Sequence, residues 1–278
     1  MYDIVASIVT FKNNKDILRK AIDSFLSSDL KSYLYLIDNS PTDDLRNVCT
    51  SKNVEYVFIN NNLGFGAGHN LAIRKSSGQS KYHLMLNPDI FFGSQVLEKI
   101  FKYMENNLDI GLISPKICYP DGSIQHLCKL LPSPLDLFIR RTNVAALKKI
   151  FKNRLDNYEL KFTKYDKVMK VPHLSGCFMF VRSDVFQKVG MFDERFFMYL
   201  EDVDLSRRIH RHYRTIYFPE VMIYHEYKKA SYKEMRNFRY HICSFFKYFN
   251  KWGWFFDRER KQFNKNALKD LKVQYPGG

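Results

Sequence analysis

Apolar runs and helically spaced apolar positions alternate through the first third of the chain. Residues 3 to 11, DIVASIVTF, form a short β-branched run that predicts a buried strand. Residues 15 to 28 carry apolar side chains at helical spacing and predict an amphipathic helix. The same two patterns predict strands at 33 to 37, 54 to 59 and 82 to 86, and a helix around 68 to 77. Because strands alternate with helices, we expect an α/β fold built on a mostly parallel sheet.

The middle of the chain follows a less regular pattern. Residues 115 to 135 contain several prolines and an Asp-Gly pair, which predict turns and a mobile loop, and a basic stretch follows from Arg140 to Arg154. A second ordered block begins near Val171. Its predicted elements are a strand from Cys177 to Val181, a helix that starts near Glu201 and runs through Arg208, a strand at 214 to 218 and an apolar continuation from Val221 to His225.

Apolar and basic residues interleave in the last fifth of the chain. Residues 228 to 278 hold 13 Lys or Arg against 4 Asp or Glu, a net charge of +9. We therefore predict a main domain at 1–227 and a basic amphipathic helical extension at 228–278, whose apolar face inserts into an anionic membrane surface. Packing of that face against the main domain, or against a second copy of the chain in a homodimer, stays open. The residues of the apolar face recur at intervals of three or four: Phe238, Ile242, Phe245, Phe249, Trp252 and Phe256.

The composition excludes several classes of protein. With 278 residues, 45% of them hydrophobic, the chain can bury a substantial core, so disorder is excluded as its overall state. Lys and Arg outnumber Asp and Glu by 44 to 29, and the net charge of +15 predicts an anionic partner: nucleic acid, a phosphorylated ligand or an acidic membrane. Nucleic acid is disfavoured, because the aromatic residues of the basic tail recur at helical spacing and no RNA-binding motif is present.

The cysteines and the N-terminal sequence bear on the cellular compartment. Five scattered cysteines without CxxC spacing predict neither a disulfide framework nor a structural zinc site, and they fit a reducing cytosol. The N-terminal sequence MYDIVASIVTF lacks the basic region and the cleavage site of a leader, and every apolar run is shorter than the roughly 18 residues that span a bilayer. We therefore expect neither secretion nor a transmembrane anchor.

Two of the predicted strands end in aspartates. Asp38 follows the second predicted strand, and Asp89 follows the fourth. The carboxyl ends of parallel strands share one edge of the sheet, where ligands bind, so we expect the two carboxylates to be neighbours. One could bind a divalent ion that bridges phosphate oxygens, and the other could accept hydrogen bonds from a base or a sugar. A simple turn at Asn87-Pro88-Asp89 is the structural alternative.

A glycine run, Gly64-Phe65-Gly66-Ala67-Gly68, follows the third predicted strand. Its GxGxG spacing lacks the third glycine of the dinucleotide fingerprint GxGxxG, so a nicotinamide site is not predicted. We interpret the run as a loop whose backbone approaches a nucleoside diphosphate. The alternative is a tight loop that opens a helix at His69-Asn70.

Adjacent carboxylates at Glu201 and Asp202 begin the sequence EDVDL near a predicted helix start. Crowding two acids raises the pKa of one of them toward the working range of a general base. The structural alternative is a pair of acidic residues that complement the helix dipole. His225, which ends an apolar strand, is a candidate metal ligand or a structural histidine.

Taken together, these segments resemble the family 2 glycosyltransferases with a GT-A fold, a Rossmann-like nucleotide-sugar transferase fold. The resemblance is to the bacterial rhamnosyltransferase-like branch that builds O-antigen and capsule chains, and it extends from about residue 4 to residue 231. Its specificity comes from the order and spacing of the segments. They are SIVTFKN at 7–13, Asp38 to Ser40, Asn61 to Asn70, Leu86 to Asp89, Ser175 to Met179, Gly190 to Phe197 and Glu201 to Leu205.

The resemblance implies a role for each candidate residue. Asp202 is implied as the catalytic base, and Glu201 as a residue that orients the acceptor. Asp89, at the last position of the family's DxD motif, and His225 are implied as ligands of Mg²⁺ or Mn²⁺, while Asn87 stands where that motif has its first Asp. The other implied substrate contacts are Thr10 and Phe11 in the nucleotide pocket, Asp38 at the nucleobase, Asn62, Gly64 and Asn70 along the donor, and Asn39, Asn87, Ser175 and Gly176.

The implied reaction is an inverting, metal-dependent transfer of a hexosyl unit. The resembled branch implies dTDP-β-L-rhamnose as the donor and a growing glycan on undecaprenyl diphosphate as the acceptor. It also implies a cytoplasmic protein that associates peripherally with the inner face of the cytoplasmic membrane. A UDP-hexose donor and a non-catalytic nucleotide-sugar-binding protein are the alternatives.

Overall fold

A mixed β-sheet forms the centre of the computed structural model, which describes residues 1–48, 50–142, 144–226 and 235–276. Within these residues nine strands join one sheet. The strands are β1 (Tyr2–Thr10), β2 (Ser32–Asp38), β3 (Val54–Phe58), β4 (Ser80–Leu86), β5 (Ile90–Phe91), β6 (Ile110–Cys118), β7 (Met169–Lys170), β8 (Phe178–Arg182) and β9 (Arg214–His225). The helices are α1 (Lys15–Leu26), α2 (Phe65–Lys75), α3 (Gln95–Glu105), α4 (Pro134–Arg141), α5 (Ala145–Ile150), α6 (Lys152–Tyr158), α7 (Val185–Val189), α8 (Glu201–His210), α9 (Met235–Trp252) and α10 (Arg258–Gln274), with a 3₁₀ turn at Lys161–Thr163.

The strand order is β3-β2-β1-β4-β8-β6-β9-β5, and β7 pairs with β9. The parallel arrangement is confirmed for β1 to β4, whose pairs are all parallel. It is wrong for much of the other half, where β8 runs antiparallel to both β4 and β6. The reason is the path of the chain, which enters β8 at the carboxyl edge where β4 ends: Asn87 N–H donates to Cys177 O at 2.9 Å. The β6–β9 pair is again parallel.

Residues 115 to 135 are more ordered than the proline content predicts. β6 continues through Pro115 to Cys118, and the ladder with β9 shifts its register between Pro115 and Lys116. Such an irregularity tolerates a residue that cannot donate a backbone hydrogen bond. Beyond the turn, Leu130 and Leu131 are buried, so the expected mobile loop is in large part a packed segment.

Helices cover both faces of the sheet. On one face Ile22 of α1 and Leu97 of α3 belong to a buried cluster with strand residues such as Ile8. On the other face Leu205 of α8 lies in a second buried cluster with Val181 of β8. Asn14 caps α1 through its side chain. The polar residues of interest lie at and after the carboxyl ends of β1, β2 and β4.

The C-terminal helices pack against the sheet domain. Tyr248 and Phe249 of α9 are fully buried in a cluster with Phe196, and Leu271 of α10 is buried in the cluster beneath α8. Part of the predicted apolar face therefore takes the alternative of packing on the main domain. Phe238, Ile242 and Phe256, by contrast, remain exposed. The predicted boundary between residues 227 and 228 lies outside the described residues, and in the described part no helix combines the length and apolar content needed to cross a bilayer.

Two fully buried histidines share one hydroxyl group beneath α2. Ser7 Oγ lies 2.7 Å from His69 Nδ1 and 2.9 Å from His83 Nε2. Burial lowers the pKa of His83 from 6.5 to about 3, and burial together with the His83 charge lowers the pKa of His69 well below 6.5. Both rings are therefore neutral in the folded state near pH 7.

We expect the free energy of unfolding to fall as the pH drops below 6.5. Below that value the unfolded chain binds protons that the folded rings exclude, so each ring contributes a loss of up to about 1.4 kcal/mol per pH unit until the folded pKa is reached. Urea unfolding between pH 7 and pH 5 measures the slope. In a His83→Gln variant, the free energy of unfolding should depend less steeply on pH, by the contribution of one titrating ring. An unchanged slope in that variant would contradict a neutral, buried His83.

Candidate active site

Three strands and the segment before β8 bring the predicted site residues to one edge of the sheet. β1, β2 and β4 end there at Thr10, Asp38 and Leu86. Asn39 N–H donates to Thr10 O at 3.0 Å, which ties the first two strand ends together. The expected proximity of the Asp38 and Asp89 carboxylates stays a prediction.

Asp38 is completely buried, and both of its carboxylate oxygens accept hydrogen bonds. Oδ1 accepts from Ser40 N–H at 2.9 Å and from Thr10 Oγ1 at 3.2 Å. Oδ2 accepts from the Tyr56 hydroxyl at 2.6 Å. Burial and this hydrogen bond to Asp38 raise the pKa of Tyr56. The Arg46 guanidinium lies 5.2 Å from the centre of the Tyr56 ring, and Tyr56 is a partner of Asp38 that the sequence did not single out.

The glycine run contacts protein rather than open space. Gly64 has φ +88°, and a Cβ there would lie 2.2 Å from Phe197 O. Its N–H donates to Asn62 Oδ1 at 3.1 Å, and its carbonyl accepts from Asn39 Nδ2 at 3.2 Å. A Cβ on Gly68 would lie 2.8 Å from Val9. The glycines therefore permit close packing of α2, which begins at Phe65 rather than near residue 68. The expected approach of this backbone to a diphosphate stays a prediction.

Asn70 joins α2 to the segment that precedes α8. Its Nδ2 donates to Phe192 O and to Glu194 Oε1, both at 2.9 Å, and its Oδ1 accepts from Phe192 N–H at 3.0 Å. The side chain is buried. Asn70 therefore supports the shape of the site, and the predicted donor contact through its amide stays a prediction. Phe11 is half-buried, and the Arg236 guanidinium lies 5.7 Å from its ring centre.

Asp89 and His225 meet where β5 pairs with the end of β9. Asp89 Oδ1 lies 3.3 Å from His225 Nε2, and no hydrogen bond to that buried oxygen is found among the described residues. His225 Nδ1 lies 2.9 Å from Gln125 Oε1, and the Gln125 amide also donates to His225 O at 3.0 Å. Because an amide oxygen only accepts, the Nδ1 atom of His225 carries a proton, and Nε2 is the ring nitrogen that faces Asp89.

Asp202 lies in the first turn of α8, after a strained approach in which Tyr199 and Leu200 have φ of 71° and 66°. Its Oδ2 accepts from Gly176 N–H at 2.9 Å and its Oδ1 from Val203 N–H at 2.8 Å. The side chain is 21% exposed, so a substrate can reach it. The carboxylate is thus held by backbone amides and still accessible.

The two adjacent acids have opposite protonation tendencies. Burial, followed by the charge of Asp202, raises the pKa of Glu201 well above its usual value. Burial also acts to raise the pKa of Asp202, but the His173 imidazole, the Gly176 N–H and the Lys129 charge together lower it. Crowding therefore raises the pKa of Glu201 and not that of the expected base. Asp202 stays ionised and can accept a proton.

The sequence match decides the family. Residues 7–190 match Glycosyl transferase family 2. The chain belongs to glycosyl transferase family 2. The GT-A fold expected from the resemblance is confirmed by this match and by the structural likeness described next.

Curated relatives and one solved structure place this glycosyltransferase among its neighbours. It is 26% identical to the N-acetylglucosaminyl-diphospho-decaprenol L-rhamnosyltransferase of Mycobacterium tuberculosis over 81% of this chain and 76% of that protein. It is 24% identical to the rhamnosyltransferase WbbL of Escherichia coli K12 over 98% of this chain and the whole of WbbL. It is 25% identical to the low-salt glycan biosynthesis hexosyltransferase Agl10 of Haloferax volcanii over 75% of this chain and 62% of Agl10. The structure of GalNAc-T7 with UDP, GalNAc and Mn²⁺ superposes with a TM-score of 0.63 at 12% identity, over 99% of this chain and 58% of GalNAc-T7.

Two residues near Asp202 of this glycosyltransferase were missed by sequence reasoning. His173 Nε2 lies 3.5 Å from Asp202 Oδ2. Lys129 is 7% exposed, and burial lowers its pKa to about 8. The Lys129 N–H donates to His173 O at 3.1 Å, so the two residues lie side by side. His173 stood in the ordered block before β8, but nothing in the sequence pairs Lys129 with it.

Proposed function

We propose that this glycosyltransferase moves L-rhamnose from dTDP-β-L-rhamnose to a hydroxyl of a lipid-linked cell-surface glycan, with inversion. The observation that carries the proposal is the ionised, accessible Asp202 carboxylate at the carboxyl edge of the sheet. Two relatives that are named as rhamnosyltransferases support the sugar. The name of the mycobacterial relative, which contains a diphospho-decaprenol, supports a lipid-linked acceptor.

In this proposal Asp202 accepts the proton of the acceptor hydroxyl. The oxygen forms a bond to the anomeric carbon while the bond from that carbon to the diphosphate oxygen breaks, and its electron pair leaves with the nucleoside diphosphate. One displacement inverts the anomeric configuration, so a β-donor gives an α-linked product. Glu201, kept protonated by its surroundings, can hydrogen-bond the acceptor without competing for the proton.

Asp89 and His225 fit a divalent cation. The buried Asp89 Oδ1 accepts no hydrogen bond among the described residues, and His225 Nε2 lies 3.3 Å from it. The two side chains would supply one carboxylate and one imidazole ligand. Within the described ranges no group of three or more His, Cys, Asp or Glu is positioned to hold a metal, so the donor diphosphate and water would supply the other ligands. A bound Mg²⁺ or Mn²⁺ would neutralise charge on the leaving diphosphate.

Replacement of Asp89 should remove the metal-dependent part of donor binding. In wild-type protein we expect Mn²⁺ to increase the thermal stabilisation by a dTDP or UDP sugar, because a ligand that binds only the folded state raises its stability. In Asp89→Asn that increase should disappear. Asp184→Asn, which changes an exposed carboxylate just beyond the opposite end of β8, is the matched control. A full Mn²⁺ effect in Asp89→Asn would contradict the metal assignment.

The exposed part of α9 supports peripheral association with a membrane. Phe238, Ile242 and Phe246 repeat every four residues and are 40% to 51% exposed. Phe138 of α4, 60% exposed, extends this surface, because the Arg141 guanidinium one turn later lies 5.4 Å from the Phe238 ring. Apolar rings bordered by arginine suit the interface of an anionic bilayer.

Flotation with vesicles that contain phosphatidylglycerol tests this association. Truncation is unsuitable, because α9 and α10 also bury Phe249 and Leu271. We expect wild-type protein to float and the variant with Phe238, Ile242 and Phe246 changed to Ser to remain in the dense fraction. Leu108→Ser, which removes a 70% exposed side chain elsewhere, should float like wild type. Equal flotation of the triple variant and the wild-type protein would contradict membrane association. If the wild-type protein and Leu108→Ser form a dimer and the triple variant does not, the exposed residues of α9 instead contact a second copy of the chain.

A further inference from the structure

His173 is a buried titratable side chain that the proposed reaction does not use. It is 4% exposed, and its Nε2 lies 3.5 Å from Oδ2 of Asp202. Among the residues described, neither of its ring nitrogens makes a hydrogen bond of ordinary geometry. Because buried polar atoms in proteins normally have hydrogen-bond partners, the contact between this imidazole and Asp202 indicates a specific role.

The backbone fixes His173 relative to the helix that carries Asp202. Ser206, one turn after Asp202 on α8, donates its hydroxyl to Leu174 O at 3.1 Å and lies 3.4 Å from Leu174 N. On the other side, His173 O accepts from Lys129 N–H at 3.1 Å. The ring is therefore tied to α8 by its own neighbour in the chain, and its distance to Asp202 does not depend on a flexible loop.

The surroundings favour a neutral ring. Burial lowers the pKa of His173, and the charges of Lys129 and Arg140 act in the same direction against the opposing effect of Asp202. A neutral imidazole carries one N–H, and Asp202 Oδ2 is an acceptor 3.5 Å from Nε2. His241 of α9 also interacts with the Asp202 charge, and burial lowers its pKa to about 4, so it is neutral as well.

We propose that His173 is a positioning residue whose Nε2–H holds Oδ2 of Asp202, so that the remaining lone pairs of the carboxylate face the acceptor hydroxyl. The inference rests on the proposed function, because it needs Asp202 as the base. Oδ2 then receives Gly176 N–H and His173, and Oδ1 receives Val203 N–H. A base oriented by a third group is a recurrent arrangement, and a displaced base lowers turnover on the order of 10²-fold.

Two substitutions separate positioning from packing. His173→Phe keeps the ring volume and removes the donor, whereas His173→Gln changes the shape and keeps an N–H donor near the Nε2 position. We expect His173→Phe to lower kcat on the order of 10²-fold with the KM for dTDP-rhamnose unchanged, and His173→Gln to retain most of the activity. A role in packing alone predicts the reverse order. His210→Gln, which changes a buried histidine farther along α8 that bonds Thr215, is the matched control.

A spectroscopic readout needs no substrate. In ¹⁵N–¹H spectra of the imidazole rings we expect an exchange-protected Nε2–H signal that is lost in His173→Gln and displaced in Asp202→Asn. Wild-type turnover in His173→Phe, or a His173 proton on Nδ1, would overturn the inference. If His173→Phe does not fold, His173→Asn replaces it, since its amide reaches only the Nδ1 position. Full activity of Asp202→Asn would instead overturn the proposed function itself.

Discussion

An Asp202→Asn variant is expected to lose sugar transfer by a factor of about 10²–10⁴, the usual contribution of a general base. The amide cannot accept the proton of the acceptor hydroxyl, although it is nearly isosteric with the carboxylate. The carboxylate in the wild-type protein is ionised, because His173, Gly176 N–H and Lys129 lower its pKa despite burial. Initial rates of sugar transfer from dTDP-β-L-rhamnose measure the loss.

Glu201→Gln is the comparison that makes this result specific. Glu201 is one residue away, and burial together with the Asp202 charge raises its pKa, so the neutral amide resembles its native form. We expect a much smaller loss for Glu201→Gln than for Asp202→Asn. Both variants should keep the thermal stabilisation by nucleotide sugar. Similar losses in the two variants, or an active Asp202→Asn, would remove Asp202 as the base.

The Asp257→Ala variant is expected to lose about 3–5 kcal/mol of stability, with a fall in Tm on the order of 10 °C. The Arg207 guanidinium is 1% exposed and bonds both Asp257 oxygens at 2.6 Å. It also contacts Glu259 at 2.8 Å and lies 4.0 Å from the Trp252 ring centre. Removal of the Asp257 side chain leaves the buried Arg207 guanidinium without two of its hydrogen bonds. It also removes the N-terminal cap of α10.

An exposed ion pair provides the control for this effect. Asp16 and Arg19 lie 3.2 Å apart, with 82% and 50% of their side chains exposed. Asp16→Ala should therefore cost less than about 1 kcal/mol. Chemical denaturation of the three proteins gives the comparison. A loss in Asp257→Ala as small as that in Asp16→Ala would show that the contact between α8 and the C-terminal helices is not a main source of stability.

The parallel half of the sheet was predictable because its signal is local. Strands such as β1 are short apolar runs buried on both faces, and strand ends such as Asp38 therefore fall at one edge. The antiparallel direction of β8 was not predictable, because it depends on which edge of the sheet the chain has reached after residue 170. The close packing at Gly64 was not predictable for a similar reason, since the carbonyl that excludes a Cβ there belongs to the distant Phe197.

The C-terminal helix α9 and the surroundings of Asp202 were also not predictable from local sequence patterns. Phe249 and Phe238 look alike in the apolar pattern of the tail, yet one is fully buried and the other is 43% exposed. Only the position of α9 on the sheet domain separates them. His173 and Lys129 reach Asp202 through tertiary packing, and residue spacing carries no information about such contacts.

The anomeric configuration of the product tests whether sugar transfer proceeds by a single inverting displacement. The experiment combines wild-type protein with dTDP-β-L-rhamnose, Mn²⁺ and an N-acetylglucosaminyl-diphospho-lipid acceptor. The anomeric configuration of the product is then determined by NMR. We expect an α-linked rhamnosyl product from wild-type protein and essentially none from Asp202→Asn. A β-linked product, formed with retention, would contradict a single displacement assisted by Asp202.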